Sequence, residues 1–579
     1  MRHRRKLDIN RLGRYVLGGC VVASVPAAVA LAFFGSQFAG LSRAAMDAAQ
    51  VGRHLARGEG FTTSVLVPAA VGRHEGRSPQ PDFANPPIHP IGLALLLRLV
   101  HPAPGRAADN AVALWTVLWW LLSIGLTWAF SARLFGIRSA IITLIALALN
   151  VSLLKAAISG DATAPLTFLV TLLLFAMYEL GKKGTEPPNA GVRGPPPAHR
   201  VPEERLRPLF RRAARVAAPA IWGAIAGLCF LTDYGFVAVI VGVAGFVLLM
   251  EGPARVRSCV IALASLLLVA SPWLIRNQVV WGNPVATLRW YGPLLGLPGE
   301  AGHGLIRSAA PPSAAAALSS QFGAVLRSGL GNLAAVRDLT FEDADVYVVG
   351  VFLAAALVPF PDAALNKLRT VLYIMLAAAA LVVALGGAAV GMTPFFPAIY
   401  IVAVGFFVDR LERLRVGISL RKNRRISSAT MRWLITCAAL VLLIVPLLVQ
   451  LRRGSRLSEW RAGPYARVAE DVPASAVVLT DIPEELAWRA DRKALLIPFP
   501  PTESELQSIE RKVGPVTHSI LRKPRHLAQA DREALLTWPS APARPGPRLG
   551  YRLPEPFYPG GVLYDLVLKK VTREPASPR

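Results

Sequence analysis

The chain is divided into long apolar runs, and this constrains its fold more than any other feature. A helix needs about 20 apolar residues to cross roughly 30 Å of hydrocarbon. Runs near that length occupy 15–38, 110–131, 138–156, 163–181, 216–233, 236–250, 257–276, 345–360, 370–388, 393–409 and 430–450. The runs at 236–250 and 345–360 are short, and Ile88 to Val100 fits either a helix at the membrane surface or one further span. The expected fold class is an α-helical polytopic membrane protein with about 11–12 transmembrane helices. Composition agrees, since 53% of the 579 residues are hydrophobic and 17% are charged, too apolar a balance for a soluble chain of this length. The run from Tyr15 to Phe38 follows the basic stretch MRHRRKLDINRLGR. It is longer than the core of a signal peptide and has no convincing cleavage site, so it is expected to stay as an anchor.

The net charge of +27 would suit nucleic acid if it formed one basic face. Instead the lysines and arginines sit in short clusters between apolar runs, the pattern of membrane topology. RLFGIR, the KKG and RPLFRRAAR clusters of 182–215, EGPARVRS, NKLR and DRLERLRVGISLRKNRR alternate along the chain with ISGDA, LTDYG and GGAAVGMT, which carry no lysine or arginine. Because basic loops stay in the cytoplasm, the N-terminus is expected there. The loops 39–109 and 277–344 and everything after Leu451 are expected on the other side of a bacterial plasma (inner) membrane. The domain reading is a cytoplasmic basic N-terminus over 1–14, a transmembrane domain over 15–451 and an extracytoplasmic α/β domain over 452–579.

The proline- and glycine-rich stretch from Glu186 to Glu204, inside the cytoplasmic segment 182–215, lacks periodicity and is expected to be a disordered linker. After Leu451 the pattern changes. SAVVLTDIP, KALLIPFP and PVTHSILRK have the composition of short strands, with PEELAWRA and ESELQSIERK as helices between them. No GxGxxG fingerprint points to a nucleotide. The four cysteines, Cys20, Cys229, Cys259 and Cys437, each fall in an apolar run and suggest packing rather than a disulfide framework or a zinc site.

Several ionisable residues on the expected outer side are candidates for chemistry. Asp47 lies in AAMDAAQVGRHLARGEGF, a helix expected along the outer surface, where solubility alone could account for an acid. His54 and Glu59 flank it with a weaker case. Asp161 opens a span after ISG and Asp233 sits in LTDYG, both on the same expected side as Asp47. Each suits helix capping; convergence on one cavity would let them orient an acceptor or hold a divalent cation. Asp343 and Asp345 form a DxD string, for which capping is again the favoured reading over metal ligation. Lys155 can snorkel to headgroups, or its ammonium can bind a phosphate. His89, between the prolines of NPPIHP, suits packing first and contact with the loop or substrate second.

Four elements occur in one order: the acidic helix ending in RGEGF, NPPIHPIGLALLLRL, SGDATAPLTFLV, and SPWLIRNQVVWGNP. This arrangement, from about Ala44 to Pro284, resembles the integral-membrane GT-C glycosyltransferases, in particular bacterial relatives of the protein O-mannosyltransferases and the lipid A aminoarabinose transferases. The resemblance extends faintly into AVVLTDIPEELAWRADRKALLIP. It implies transfer of a sugar, with inversion, from a polyprenyl-phosphate donor to an extracytoplasmic acceptor: a cell-envelope lipid, a glycan or a protein. It implies Asp47 as catalytic base, and Asp161, Asp233, Lys155, Arg276 and His89 as substrate-binding candidates, with Lys155 and Arg276 toward the donor phosphate. No metal ligand is assigned and no cofactor is required, although a divalent metal remains compatible with the acids. The expected partners are the bilayer, the lipid-linked donor and the acceptor, with no nucleic acid.

Two departures bear on that reading. Ala48 stands where relatives often carry a second acid, and GMTPFFPAIY lacks the arginine-tyrosine pair expected before a late span, leaving Lys155, Arg276, Arg289 or Arg307 to substitute. Two rival readings stay open: a multi-pass transporter or flippase, and a catalytically silent scaffold. Transporters usually show internal repeats and broken helices, and no repeat is visible in the span pattern.

Overall fold

The computed structural model describes the chain apart from residues 1–23, 74–79, 186–202, 250–254, 286, 296–305, 387–390, 414–417, 421–423, 454–467, 499–502, 523–565 and 571–579. Cys20, the basic N-terminus, the start of the first apolar run and much of the 182–215 linker lie outside the described residues. The protein is a polytopic α-helical membrane protein with a small C-terminal domain containing β-strands. Among the described residues six helices are long and apolar enough to cross a membrane: Arg106–Phe135, Thr163–Gly181, Arg255–Trp281, Ala363–Leu385, Thr393–Arg413 and Ala429–Arg452. Shorter apolar helices cover Ser24–Gln37, Ile88–Val100, Ala217–Thr232, Tyr234–Leu249 and Val346–Leu357. Arg255–Trp281 shows how such a helix divides its surface. Val256, Val260, Leu263, Leu267, Ile275 and Val279 are exposed along it, whereas Ala262, Leu266 and Ala270 are buried against neighbours.

The run expected as one span over 138–156 is broken. Ile137–Leu149 and Val151–Ile158 meet at 62°, and the cause is Asn150. Its backbone is extended, and its Oδ1 accepts the Leu153 N–H at 2.8 Å, capping the second helix. Its Nδ2 donates to Asp343 O at 2.8 Å, Tyr400 Oη at 3.0 Å and Asp345 Oδ2 at 3.2 Å. The DxD acids therefore do not cap helices as expected. Asp345 makes no side-chain cap at the start of Val346–Leu357 and accepts the Tyr400 hydroxyl at 2.6 Å, while Asp343 accepts the Ser152 hydroxyl at 2.7 Å. Both acids tie the break to helices distant in sequence.

Ile88–Val100 is a helix of 13 residues. At about 1.5 Å per residue it spans roughly 20 Å, short of the hydrocarbon thickness. It packs on the helix Arg43–Ala56 at Gly52, where an added Cβ would lie 3.0 Å from both Leu93 Cβ and Pro90 O.

The strands Val477–Thr480, Lys493–Leu496 and Val516–Arg522 and the helices Pro483–Arg489 and Glu503–Val513 coincide with the segments read from sequence. Alternation along Val477–Thr480 explains the layering. Val477 and Leu479 join Leu506 and Ile509 on one face of the sheet, and Val478 joins Ile482 and Leu486 on the other. The sheet has five strands and is completed by the first loop. Val65–Leu66 adds as an edge strand parallel to Lys493–Leu496, with Val65 beside Ala494 and Leu66 beside Leu495. The Ala494 N–H donates to Ser64 O at 2.9 Å.

Candidate active site

The Arg43–Ala56 helix begins at Ser42, whose hydroxyl accepts the Ala45 N–H at 3.1 Å. Ala45, Met46, Ala48 and Ala49 are buried. The polar residues Asp47, Gln50 and His54 fall at helical spacing on one face. Asp47 is half-buried. Asn85 Nδ2 donates to its Oδ2 at 2.9 Å and Gln50 Nε2 to its Oδ1 at 3.4 Å. The same Asn85 amide reaches Asp82 Oδ1 at 3.3 Å, and the Asn85 N–H donates to Asp82 Oδ2 at 2.8 Å. Asn85 therefore bridges two carboxylates, one of which, Asp82, is 2% exposed.

A third carboxylate comes from the other end of the chain. Glu484, in the Pro483–Arg489 helix packed on the Asp47 helix, has a buried Oε2 with no hydrogen-bond partner among the described residues. Burial first, and then the negative charge of Asp82, raise the pKa of Asp47 to about 7 against the donors Asn85 and Gln50. Burial also raises Glu484 to about 7, with Asp47 among the charges that hold its proton, and it raises Asp82. A carboxylate whose pKa lies near neutrality can both take and give up a proton at working pH.

Arg276 stands behind Asp82. It donates to Asp82 O at 3.1 Å, Phe61 O at 3.2 Å and Asn277 Oδ1 at 3.0 Å. Its guanidinium lies 4.6 Å from the Trp273 ring centroid and 5.4 Å from that of Phe61. Much of its bonding capacity thus braces the main chain at Asp82 and Phe61. Pro272 lies inside this helix, two residues ahead of Leu274 in the SPWLIRN run.

No family model and no curated sequence matches the chain. Solved structures do. The Archaeoglobus fulgidus oligosaccharyltransferase solved with zinc and sulfate superposes with a TM-score of 0.52 at 13% identity, over 86% of this chain and 68% of that one. AglB of the same organism, solved with an inhibitory peptide and a dolichol-phosphate, gives 0.53 at 13% identity over 89% and 71%. ArnT from Cupriavidus metallidurans, bound to undecaprenyl phosphate, gives 0.48 at 17% identity over 89% and 94%. The fold is similar to that of the Archaeoglobus fulgidus oligosaccharyltransferase. At these identities the likeness concerns the fold.

Within this fold the candidates read from sequence are distributed unevenly. Asp161 lies in a turn fastened to the start of the Asp47 helix, where the Ser42 N–H donates to Ser159 O at 3.0 Å, and its own Oδ1 caps Thr163 N at 2.9 Å. Gly160 needs its φ of +80° here, and an added Cβ would collide with Leu41 and approach Ala45. His89 is buried, with Nε2 3.0 Å from Gly160 O and Nδ1 without a partner among the described residues. Asp233 accepts the Gly235 N–H at 2.7 Å, and the next residue, Tyr234, accepts the Trp273 indole N–H. Lys155 is exposed on Val151–Ile158. His54 is buried between Thr62 and Ser64, and Glu59 is exposed.

Asp82, Asn85, Gln50 and Glu484 were not among the candidates. PDFANPPIHP carries an Asp-x-x-Asn spacing suited to a tight turn, a usable signal for the first two. Nothing local marks Glu484. Asp82 and Glu484 thus bring two further carboxylates toward Asp47 from segments distant in sequence. Among the described residues no three His, Cys, Asp or Glu side chains are grouped to hold a metal, and the Asn85 amide occupies the position between Asp47 and Asp82 that a bridging cation would need.

Proposed function

We propose that the chain is a membrane glycosyltransferase that moves a sugar from a polyprenyl-phosphate donor to a hydroxyl-bearing acceptor on the extracytoplasmic side. The observation that carries this reading is Asp47, a half-buried carboxylate raised to about 7, in a fold similar to that of the Archaeoglobus fulgidus oligosaccharyltransferase. Support for sidedness is the alternation of basic and lysine- and arginine-free loops. Nucleotide sugars are cytoplasmic, so an outer site needs its sugar delivered on a lipid.

Asp47 takes the acceptor hydroxyl proton as that oxygen attacks the anomeric carbon. The new C–O bond forms while the bond from that carbon to the phosphate oxygen breaks, and the lipid phosphate leaves with the electron pair. A single displacement inverts the anomeric centre. The departing phosphate needs charge stabilisation rather than a proton; Arg276 and Lys155 are the candidates read from the sequence. Asn85 and Gln50 orient the base, while burial and the charge of Asp82 hold its pKa up. In the proposed scheme Asp161, Asp233 and His89 shape the turns around the substrates.

Asp47→Asn keeps the size of the side chain and removes the base, together with one of the two acceptor oxygens that Asn85 and Gln50 address. Sugar transfer from a radiolabelled polyprenyl-phosphate sugar to envelope acceptors is expected to fall by about 10²–10⁴-fold, the usual contribution of a positioned base. Unchanged transfer would exclude Asp47 from that role.

A further inference from the structure

A second polar cavity, of about 240 Å³, opens where the first loop meets the C-terminal domain. His54, Thr63 and Ser64 of the first loop region and Asp491, Lys493 and Lys512 of the C-terminal domain line it. It lies beyond Asp47 on the same helix. Asp47 and His54 are seven positions apart, about 10 Å along the axis at 1.5 Å per residue, the width of roughly one to two sugar rings.

The charge in its lining favours an anion. Asp491 is already matched by Arg53 and Arg57, each at 2.8 Å. Glu59 lies 3.6 Å from His54. Among the described lining residues Arg57, Lys493 and Lys512 outnumber Glu59 and Asp491. Lys512 donates one of its three N–H bonds to Gly72 O at 2.6 Å. Hydroxyls at Thr63 and Ser64 add neutral hydrogen-bonding groups.

The wall is also joined to Asp47. Gln50 Nε2 donates to Thr63 Oγ1 at 2.6 Å and to Asp47 Oδ1 at 3.4 Å, and Gln50 Oε1 accepts the Ser64 N–H at 2.9 Å. One amide side chain thus holds the cavity wall and the candidate base in a common frame.

We propose that this cavity is an acceptor subsite for a phosphate or carboxylate group, holding the acceptor's anionic end while its hydroxyl reaches Asp47. This rests on the transferase reading, deepening it by assigning the acceptor an anionic class. Gln50 is the positioning residue that transmits occupancy to the base.

The test measures binding without turnover, on the full chain in phosphatidylcholine nanodiscs. Melting temperature is followed against inorganic phosphate, with ionic strength held constant by chloride. Wild-type protein and Asp47→Asn are both expected to show a saturable rise. Lys493→Gln, which leaves the Lys512–Gly72 bond in place, is expected to weaken the apparent phosphate affinity about tenfold, the scale of one charge-assisted contact. Its melting temperature without phosphate serves as the folding control, and Lys512→Gln provides a second variant if that control fails. No rise in wild type, or a wild-type phosphate affinity in both lysine variants, overturns the subsite. Loss of the response when phosphatidylglycerol is added to the nanodisc assigns the cavity to lipid headgroups and overturns the acceptor reading. Because Asp47→Asn binds phosphate but is expected not to transfer sugar, failure of the subsite and failure of the transferase reading give different results.

Discussion

Arg53 fastens the helix that carries Asp47 to Trp488 in the C-terminal domain. Its guanidinium donates to Trp488 O at 2.7 Å and Ala487 O at 2.6 Å, and it lies 4.9 Å from the Trp488 ring centroid. Burial lowers its pKa to about 10, against the pull of Asp491, so it remains charged at neutral pH. Trp488 in turn donates its indole N–H to the fully buried Asp109 at 2.7 Å. The glutamate facing Asp47 is four residues from this clamp.

Arg53→Met keeps much of the apolar stem and removes the charged donors. Each such bond contributes about 1.5–3 kcal/mol, so the variant is expected to lose about 2 kcal/mol or more of stability. Limited proteolysis should cut its C-terminal domain faster than in wild type. Equal cleavage rates and melting temperatures would remove the clamp from the account.

Trp488→Phe preserves the ring face under Arg53 but deletes the bond to Asp109. A cost of about 1–3 kcal/mol is expected for depriving a buried carboxylate of a donor. Thermal unfolding of the variant in nanodiscs measures it, and a wild-type melting curve would contradict it.

Base catalysis requires the ionised form of Asp47, so kcat/KM is expected to rise as pH passes through about 7. Asp82→Asn removes the negative charge that raises Asp47, which lowers the pKa of Asp47 and moves the acid limb to lower pH. A profile displaced to higher pH in this variant would refute the electrostatic assignment.

The same shift has a stability counterpart with a fixed sign. Asp47 rises from 3.8 to about 7 on folding, so the folded protein binds its proton more tightly than the unfolded chain does. Stability from this source is complete below the unfolded pKa and is lost as pH rises through about 7. Asp47→Asn, which carries no charge to bury, is therefore expected to raise the melting temperature at pH 8 more than at pH 5. A larger gain at pH 5 would reverse the assignment.

Gly52→Val tests the packing of the Asp47 helix. The added methyls would meet Leu93 and the Pro90 carbonyl, where even a Cβ comes within 3.0 Å. Overpacking of this kind costs about 1–3 kcal/mol, and transfer should fall as the Asp47 helix shifts. Retained melting temperature and turnover would show that the contact yields freely.

The membrane architecture was legible because apolar runs signal burial in lipid by composition alone, whatever their neighbours are. The strands and helices of the C-terminal domain were legible for a similar reason, since Val477–Thr480 alternates and Glu503–Val513 repeats at helical spacing. Asp47 stood out through its place in an ordered set of segments. The break at Asn150 did not, because a single asparagine in an apolar run is compatible with a continuous helix until Asp343, Asp345 and Tyr400 are brought to it. Asp82 and Glu484 were hidden for the same reason. What matters is their electrostatic relation to Asp47, and that exists only once distant segments have met.

Val65–Leu66 lends an edge to a sheet whose other strands lie more than four hundred positions further along the chain. During synthesis the first loop must therefore wait, with its edge unfilled, until almost the entire polypeptide has left the ribosome. A nascent or truncated product ending before Pro483 would carry the Asp47 helix without the Pro483–Arg489 helix that packs on it and without Glu484.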